Sequence, residues 1–298
     1  MPPPLNWVKS AIQAIRGFAY PKEAVPAKAP RRPRIGLALG GGFARGISHI
    51  GVLRVLEANH IPIDCIAGTS VGALIAASYA TGVPIETMQH RAETTRFKDF
   101  GSWTLSRLGF ATNERLQRYL YQFSSFDHFE QAGIPLAIAA TDFATGQAAY
   151  FTRGEIGPAL RASCAYPGLF LPVKLDGRTY VDGFLAAPVP VDAARLLGAE
   201  LIIAVYLDSA PPDESPTNVM EVIGRAFSIM SRNVNQTWRA RADVIIEPEV
   251  NHFAWDDFAQ TPQLVAAGEA AARAALPHIR SVISHRTRLP AAATPVNL

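Results

Sequence analysis

Cysteine is nearly absent: Cys65 and Cys164 are the two thiols in 298 residues. A disulfide-stapled scaffold needs a denser set, and two reduced thiols are ordinary for a cytoplasmic chain, which is where this one is expected to work. Metal-ligand spacings are missing too. No C-x-x-C, H-E-x-x-H or clustered His/Asp set occurs, so neither a metal nor a cofactor is expected. Charged residues make up 18% of the chain, below the roughly one quarter of an average globular protein. Long hydrophobic runs are lacking as well: the longest, such as 201–207, have strand length, so nothing here is expected to span a bilayer. What is plentiful is dispersed apolar side chain, 49% of 298 residues, enough for a sizeable core in one large domain or two small ones. Disordered and fibrous classes are excluded.

The formal charge of +3 is unevenly spread. Residues 1–34 hold seven Lys/Arg against one Glu, and the remainder is net acidic at 21 against 24, so by charge the body does not bind nucleic acid. Leu5, Val8, Ile12, Ile15 and Ala19 recur at helical spacing, with Trp7 and Phe18 close by and Lys9 and Arg16 off the stripe. Those two cations interrupt the one stretch that could serve as a secretory signal. Residues 1–33 therefore read as a basic amphipathic segment followed by a proline-rich linker. Peripheral contact with an anionic inner membrane surface is one use for it; a disordered leader, or a helix packed on the body, are the others. A globular domain over 34–285 and a flexible tail over 286–298 complete the expected organisation.

Within the globular part, short apolar runs alternate with helical patterns, which predicts an α/β fold of three layers around a mostly parallel central sheet. Strands are expected at 34–39, 63–68, 136–142, 147–151, 179–182, 201–208 and 243–247, and helices at 46–59 and 71–81. The first two strands and the helix between them make one βαβ unit.

That unit carries both chemical motifs. Gly68-Thr69-Ser70-Val71-Gly72 is a G-x-S-x-G lying where a strand ends and a helix begins. A serine on such a turn is held with its oxygen exposed above the sheet, and glycines are needed where strand and helix pass closely. A plain helix N-terminus capped by Ser70 is the bland alternative. The second motif, Gly40-Gly41-Gly42-Phe43-Ala44-Arg45-Gly46, follows the first strand and opens a helix, so its backbone N–H groups can converge on an anion. A P-loop would need Lys-Ser/Thr where Arg45-Gly46 stands, and a dinucleotide fingerprint would need glycine at position 45. An oxyanion hole serving Ser70 is what remains.

A serine nucleophile needs a base. Asp182, closing a strand before Gly183, and Asp142, closing 136–141 before a turn at 144–146, both qualify, although turn capping is the commoner role for Asp142. His252, His278 and His285 sit in no glycine-marked turn, and His49 falls on a helix where packing is the ordinary outcome.

Taken in order, these motifs resemble the patatin-like phospholipase family, its bacterial subgroup in particular, over about residues 34–275. The resemblance rests on the glycine loop with Arg45-Gly46, the helix Ser48-His49-Ile50-Gly51-Val52-Leu53, the Gly68 to Gly72 elbow, Arg161-Ala162-Ser163 before Pro167-Gly168, and Val181-Asp182-Gly183. It implies a serine hydrolase of lipid acyl esters, phospholipid or lysophospholipid, using a Ser-Asp dyad without histidine: Ser70 as nucleophile, Asp182 as general base. It further implies an oxyanion hole from the backbone N–H groups of Gly41, Gly42 and Phe43, with Arg45 supporting the loop and Gly68, Gly72 and Gly183 as motif glycines. Two positions depart from the family pattern. Phe43 stands where the third loop glycine is usual, and Phe184 follows Gly183 where a small residue is common.

Residues 97–129 carry nine of the chain's 27 aromatics, a local excess that suits either a cap over an acyl-chain site, hinged at Gly101 and Gly109, or ordinary helix packing. Two other function classes stay open. Acyl transfer uses the same elbow but commonly has histidine beside the serine, where this chain has Thr69. A catalytically silent lipid-binding regulatory module is the other.

Overall fold

In the computed structural model, β1 (Ile35–Leu39) is an interior strand of the main sheet and shows how the layers arise. Its alternate residues Ile35, Leu37 and Leu39 face one side, and Gly36 and Ala38 the other. The large side chains join the main core with Ile50 and Leu53 of α1 (Ser48–Ala58). The small ones let α7 (Val191–Leu196) press Ala193 and Ala194 close against the opposite face. Each fully buried aliphatic side chain in such a core stabilises the fold by about 1.5–3 kcal/mol.

The structure describes residues 31–208, 215–254 and 256–288. The remaining strands are β2 (Cys65–Thr69), β3 (Ser102–Trp103), β4 (Gly109–Thr112), β5 (Leu136–Asp142), β6 (Ala148–Phe151), β7 (Gly168–Phe170), β8 (Val173–Leu175), β9 (Arg178–Asp182), β10 (Leu201–Val205) and β11 (Val244–Ile246). The remaining helices are α2 (Val71–Ala80), α3 (Ile85–Thr94), α4 (Phe97–Phe100), α5 (Glu114–Tyr121), α6 (Ile156–Ser163), α8 (Val219–Arg239) and α9 (Thr261–Arg288). The main sheet runs β11-β10-β1-β2-β5-β9-β8, with β6 also paired to β5. From β11 to β5 all pairings are parallel, and β9, β8 and β6 add antiparallel ones. Helices cover both faces, which is the three-layer α/β arrangement the sequence predicts. A second sheet, β3-β4-β7, stands apart from it.

Boundaries moved for local reasons. The strand expected from 63 begins at Cys65: the Asp64 carboxylate accepts the Ile35 N–H at 2.7 Å and its own N–H donates to the Ile35 carbonyl at 2.8 Å, so Asp64 joins the N-terminal end of β1 just before the strand register starts. The helix expected from 46 opens as a 3-10 turn at Phe43–Ile47 before becoming α-helical at Ser48. β3, β4, β7 and β8 run two to four residues, too short for a periodicity signal.

Arg32–Arg286 forms one compact unit. The amphipathic segment and most of the linker expected in 1–33 lie outside the described residues, while the expected tail remains helical to Arg288, beyond which it too is outside them. No helix among the described residues is long and apolar enough to cross a membrane.

Candidate active site

β2 ends at Thr69 and α2 begins at Val71, leaving Ser70 alone on the turn between them. The turn holds it at φ 55°, ψ −125°, a conformation that costs a residue with a Cβ about 1–3 kcal/mol. The flanking glycines are sterically required. A Cβ on Gly68 would stand 2.3 Å from the Gly72 carbonyl oxygen, and one on Gly72 2.4 Å from that of Leu39. The Ser70 side chain does not cap α2, so the bland alternative does not describe this turn.

Ser70 is held from two directions. Its N–H donates to Ser163 Oγ at 2.8 Å, and the Ser163 hydroxyl donates in turn to the Ala139 carbonyl at 2.6 Å. Its Oγ donates to Asp182 Oδ2 at 2.8 Å, bridging 112 residues of sequence. Sequence reasoning assigned Ser163 no part in the site; its place in Arg161-Ala162-Ser163 was the available signal.

Asp182 ends β9 opposite Ala140 of β5, so sheet pairing sets its distance from the elbow. Its N–H donates to the Ala165 carbonyl at 2.9 Å and its carbonyl accepts the Thr141 hydroxyl at 2.8 Å. Oδ1 accepts the Phe184 N–H at 2.9 Å. Gly183 fits against the Ala139 carbonyl, where a Cβ would stand 2.3 Å from the oxygen. With Asp182 1% exposed, burial pushes its carboxyl up to about 7, against the opposing pull of the Phe184 N–H and the Ser70 hydroxyl. Ser70 itself retains 8% exposure. Cys164 lies beside the pair. Burial and the nearby Asp182 charge push its thiol well up, while the Ser70 hydroxyl pulls the other way.

The glycine loop is tied down at its base. Gly40 N–H donates to the Val205 carbonyl at 3.0 Å and Gly41 N–H to the Pro188 carbonyl at 3.1 Å. Gly41 is therefore engaged, which narrows the three expected oxyanion donors to Gly42 and Phe43. What Gly41 contributes is room, since a Cβ there would lie 2.9 Å from the Phe184 ring and 3.4 Å from Ser70 Cβ. The Gly42 N–H meets no acceptor among the described residues. Phe43 occupies φ 51°, a value that favours glycine, and its ring meets Tyr166 edge-on at 4.9 Å. Buried His49 donates from Nε2 to the Gly40 carbonyl at 2.8 Å. Burial pushes its imidazole down to about 4, so it is neutral near pH 7 and buttresses the loop. Arg45 Nε donates to the Phe253 carbonyl at 3.0 Å, fastening the loop to the chain before α9.

The competing candidates lie elsewhere in the bonding pattern. Asp142 Oδ1 accepts the N–H groups of Ala144 and Thr145, and its Oδ2 takes Arg178 at 3.0 Å, so it caps its turn. The His252 ring lies against Phe253, His278 and His285 belong to α9, and no histidine hydrogen-bonds Ser70 or Asp182 among the described residues. The aromatic segment divides. Phe100, Tyr119 and Phe123 meet edge-on at 5.0 and 5.2 Å against the core, while Trp103 and Phe110 stand exposed on the β3–β4 hairpin. No group of three or more His, Cys, Asp or Glu that could hold a metal occurs among the described residues.

An uncharacterised NTE family protein of Mycobacterium tuberculosis is 33% identical over 193 residues, covering 63% of this chain and 53% of the relative. The lysophospholipase nte1 of Emericella nidulans is 28% identical over 204 residues, covering 66% of this chain and 13% of that protein. The chain thus spans about half the length of its mycobacterial relative and far less of the fungal one. Among solved structures, VipD from Legionella pneumophila shares the fold at a TM-score of 0.58 and 14% identity, over 84% of this chain and 67% of that one. The sequence model of the patatin-like phospholipase family matches residues 37–195, more than half of the chain and inclusive of the loop, the elbow and Asp182. This chain belongs to the patatin-like phospholipase family.

Proposed function

We propose that the chain is a lipid acyl-ester hydrolase in which Ser70 attacks the ester carbonyl and Asp182 handles the proton. The observation that carries this reading is the buried 2.8 Å hydrogen bond from Ser70 Oγ to an Asp182 carboxyl whose affinity for protons is raised to about 7. A carboxylate near its ordinary value of about 4 would be a feeble base, whereas one near 7 is matched to neutral pH.

As the Ser70 proton passes to Asp182, Oγ bonds to the acyl carbon and negative charge collects on the former carbonyl oxygen. The N–H groups of Gly42 and Phe43 are the donors assigned to that oxyanion, supported by the unengaged Gly42 N–H. Collapse expels the alcohol, which takes the proton from Asp182. Water then gives its proton to Asp182 as it attacks the acyl-serine, and the carboxylic acid leaves with Ser70 restored. His49 stays neutral and outside this exchange. Phospholipid or lysophospholipid is the proposed substrate, supported by the family and by the fungal relative's designation as a lysophospholipase. The basic segment 1–33 is proposed as an additional contact with an anionic membrane.

The test is labelling by a fluorophosphonate together with hydrolysis of p-nitrophenyl esters. Ser70→Ala should lose both, and retention of either in that variant would remove Ser70 from the chemistry.

A further inference from the structure

The large apolar side chains left in solvent are concentrated. Of the ten most exposed among the described residues, Trp103, Leu105, Leu108 and Phe110 lie on the β3–β4 hairpin and Val219, Val222 and Ile229 on α8. Both elements border β7, which follows Tyr166. Gly168 of β7 pairs with Gly109 of β4, and Ile223 of α8 reaches within 2.8 Å of where a Gly168 side chain would begin. From the hairpin an aromatic path runs inward. Trp103 packs on Phe97 at 5.3 Å, Phe97 stacks on Phe170 at 5.9 Å, and Phe170 shares its cluster with Tyr166 and Phe43 of the glycine loop. On its far side Tyr166 meets Phe227 of α8 at 4.9 Å.

On the hairpin side of this apolar surface charge has one dominant sign, whereas on α8 the exposed Glu221 stands between Val219 and Val222. Phe97 opens α4, and the next residue, Lys98, lines a cavity of about 370 Å³ with Arg91, Arg115 and Arg118, against the single acid Asp99. Lys98 and Arg118 form no ion pair among the described residues, and Arg107 at the hairpin tip forms none either. An apolar protrusion flanked by cations matches a bilayer surface whose interior is hydrocarbon and whose headgroups are anionic. A protein partner would need no such pairing of a basic cavity with a hairpin tip, where Leu105 is fully exposed.

We infer that the β3–β4 hairpin and the first half of α8 dock on an anionic phospholipid surface, with the Arg91–Lys98–Arg115–Arg118 cavity receiving headgroup phosphate and Ser70 held at the surface. This rests on the lipid-hydrolase reading for its purpose, but docking needs no turnover. It is therefore measured in the full chain carrying Ser70→Ala, by cosedimentation with vesicles of phosphatidylglycerol and phosphatidylcholine and with phosphatidylcholine alone. Adding Leu105→Ser and Leu108→Ser should lower the partition coefficient at least tenfold on both vesicles, as loss of two interfacial leucines implies. Adding Lys98→Gln and Arg118→Gln instead should lower it roughly tenfold on the anionic vesicles and little on the neutral ones.

With Cys65→Ala and Cys164→Ala also introduced, a bimane label on Leu105→Cys reports the hairpin alone, whatever residues 1–33 contribute, and its emission should shift to the blue on anionic vesicles. An unshifted label, or partition unchanged by the paired serine substitutions, overturns the proposal. A dimer in sedimentation velocity that those serines convert to monomer, with partition unchanged, overturns it in favour of contact between copies of this chain. Failure of the hydrolase reading shows separately, as absence of fluorophosphonate labelling in the unmutated chain.

Discussion

The elbow and the β3–β4 hairpin make opposite use of a polypeptide. At the elbow every group is spoken for: Ser70 N–H on Ser163, Ser70 Oγ on Asp182, Asp182 Oδ1 on Phe184 N–H, and glycines where a single Cβ would collide with backbone. On the hairpin, a short strand pair lifts Trp103, Leu105, Leu108 and Phe110 out of any core. The first arrangement is what preorganised chemistry requires, since reacting atoms must be held in place before charge develops. The second suits a surface whose partner is fluid, where apolar area counts and exact placement does not. Substitutions should therefore act steeply in one region and in graded fashion in the other.

After Ser70 itself, the largest effect is expected at Asp182. Asp182→Asn keeps the shape but removes the proposed proton acceptor, so kcat for a soluble ester should fall on the order of 10³-fold. The same variant should be more stable than its parent at alkaline pH. Because the Asp182 carboxyl is raised to about 7 in the folded chain, the native state holds a proton that the unfolded chain has released above about pH 4. Its contribution to stability is thus complete at low pH and is lost as pH rises through 7, by up to about 1.4 kcal/mol per pH unit. Thermal melts at pH 5 and pH 8 should show the difference in Tm between Asp182→Asn and parent growing in favour of the variant at pH 8.

A smaller loss is expected one step outward. Ser163→Ala leaves the Ser70 N–H and the Ala139 carbonyl without their shared partner, at a cost of about 1–3 kcal/mol in stability. It should also lower kcat about tenfold with KM little changed, because Ser163 acts through the position of Ser70. A drop equal to that of Asp182→Asn would mean that Ser163 takes part in proton transfer. The smallest effect is expected at Leu196, 64% exposed on α7, away from hairpin and cavity. Leu196→Ser should change vesicle partition less than twofold, and a larger change would show that exposed leucine anywhere on this protein promotes binding.

How much of this was readable in the sequence follows from the same contrast. Gly68 and Gly72 announce themselves because no other residue fits between Leu39, Gly72 and Ala73 backbone, so steric necessity leaves a pattern in the letters. The central strands were readable for a similar reason: 35–39, 136–142 and 201–205 are buried on both faces, and their apolar runs are unbroken except for Thr141 and Asp142 at the end of the second. The sequence offered Asp142 and Asp182 side by side, and what separates them is strand register and a turn, both set by distant residues. It gave no sign that the Gly41 N–H would be taken by the Pro188 carbonyl, since Pro188 comes 147 residues later. The division of the 97–129 aromatics into a packed half and an exposed half was equally hidden, because it depends on β4 pairing with β7 across 59 residues of chain.

The central claim is that a buried aspartate, with no histidine, takes the Ser70 proton. The pH dependence of the acylation rate, measured by stopped flow with an activated p-nitrophenyl ester, tests it most directly. A single ionisation near pH 7 is expected, with the rate rising as Asp182 loses its proton and the inflection absent from Asp182→Asn. A rate that is flat between pH 5 and 9, or an inflection that survives in Asp182→Asn, would contradict the account.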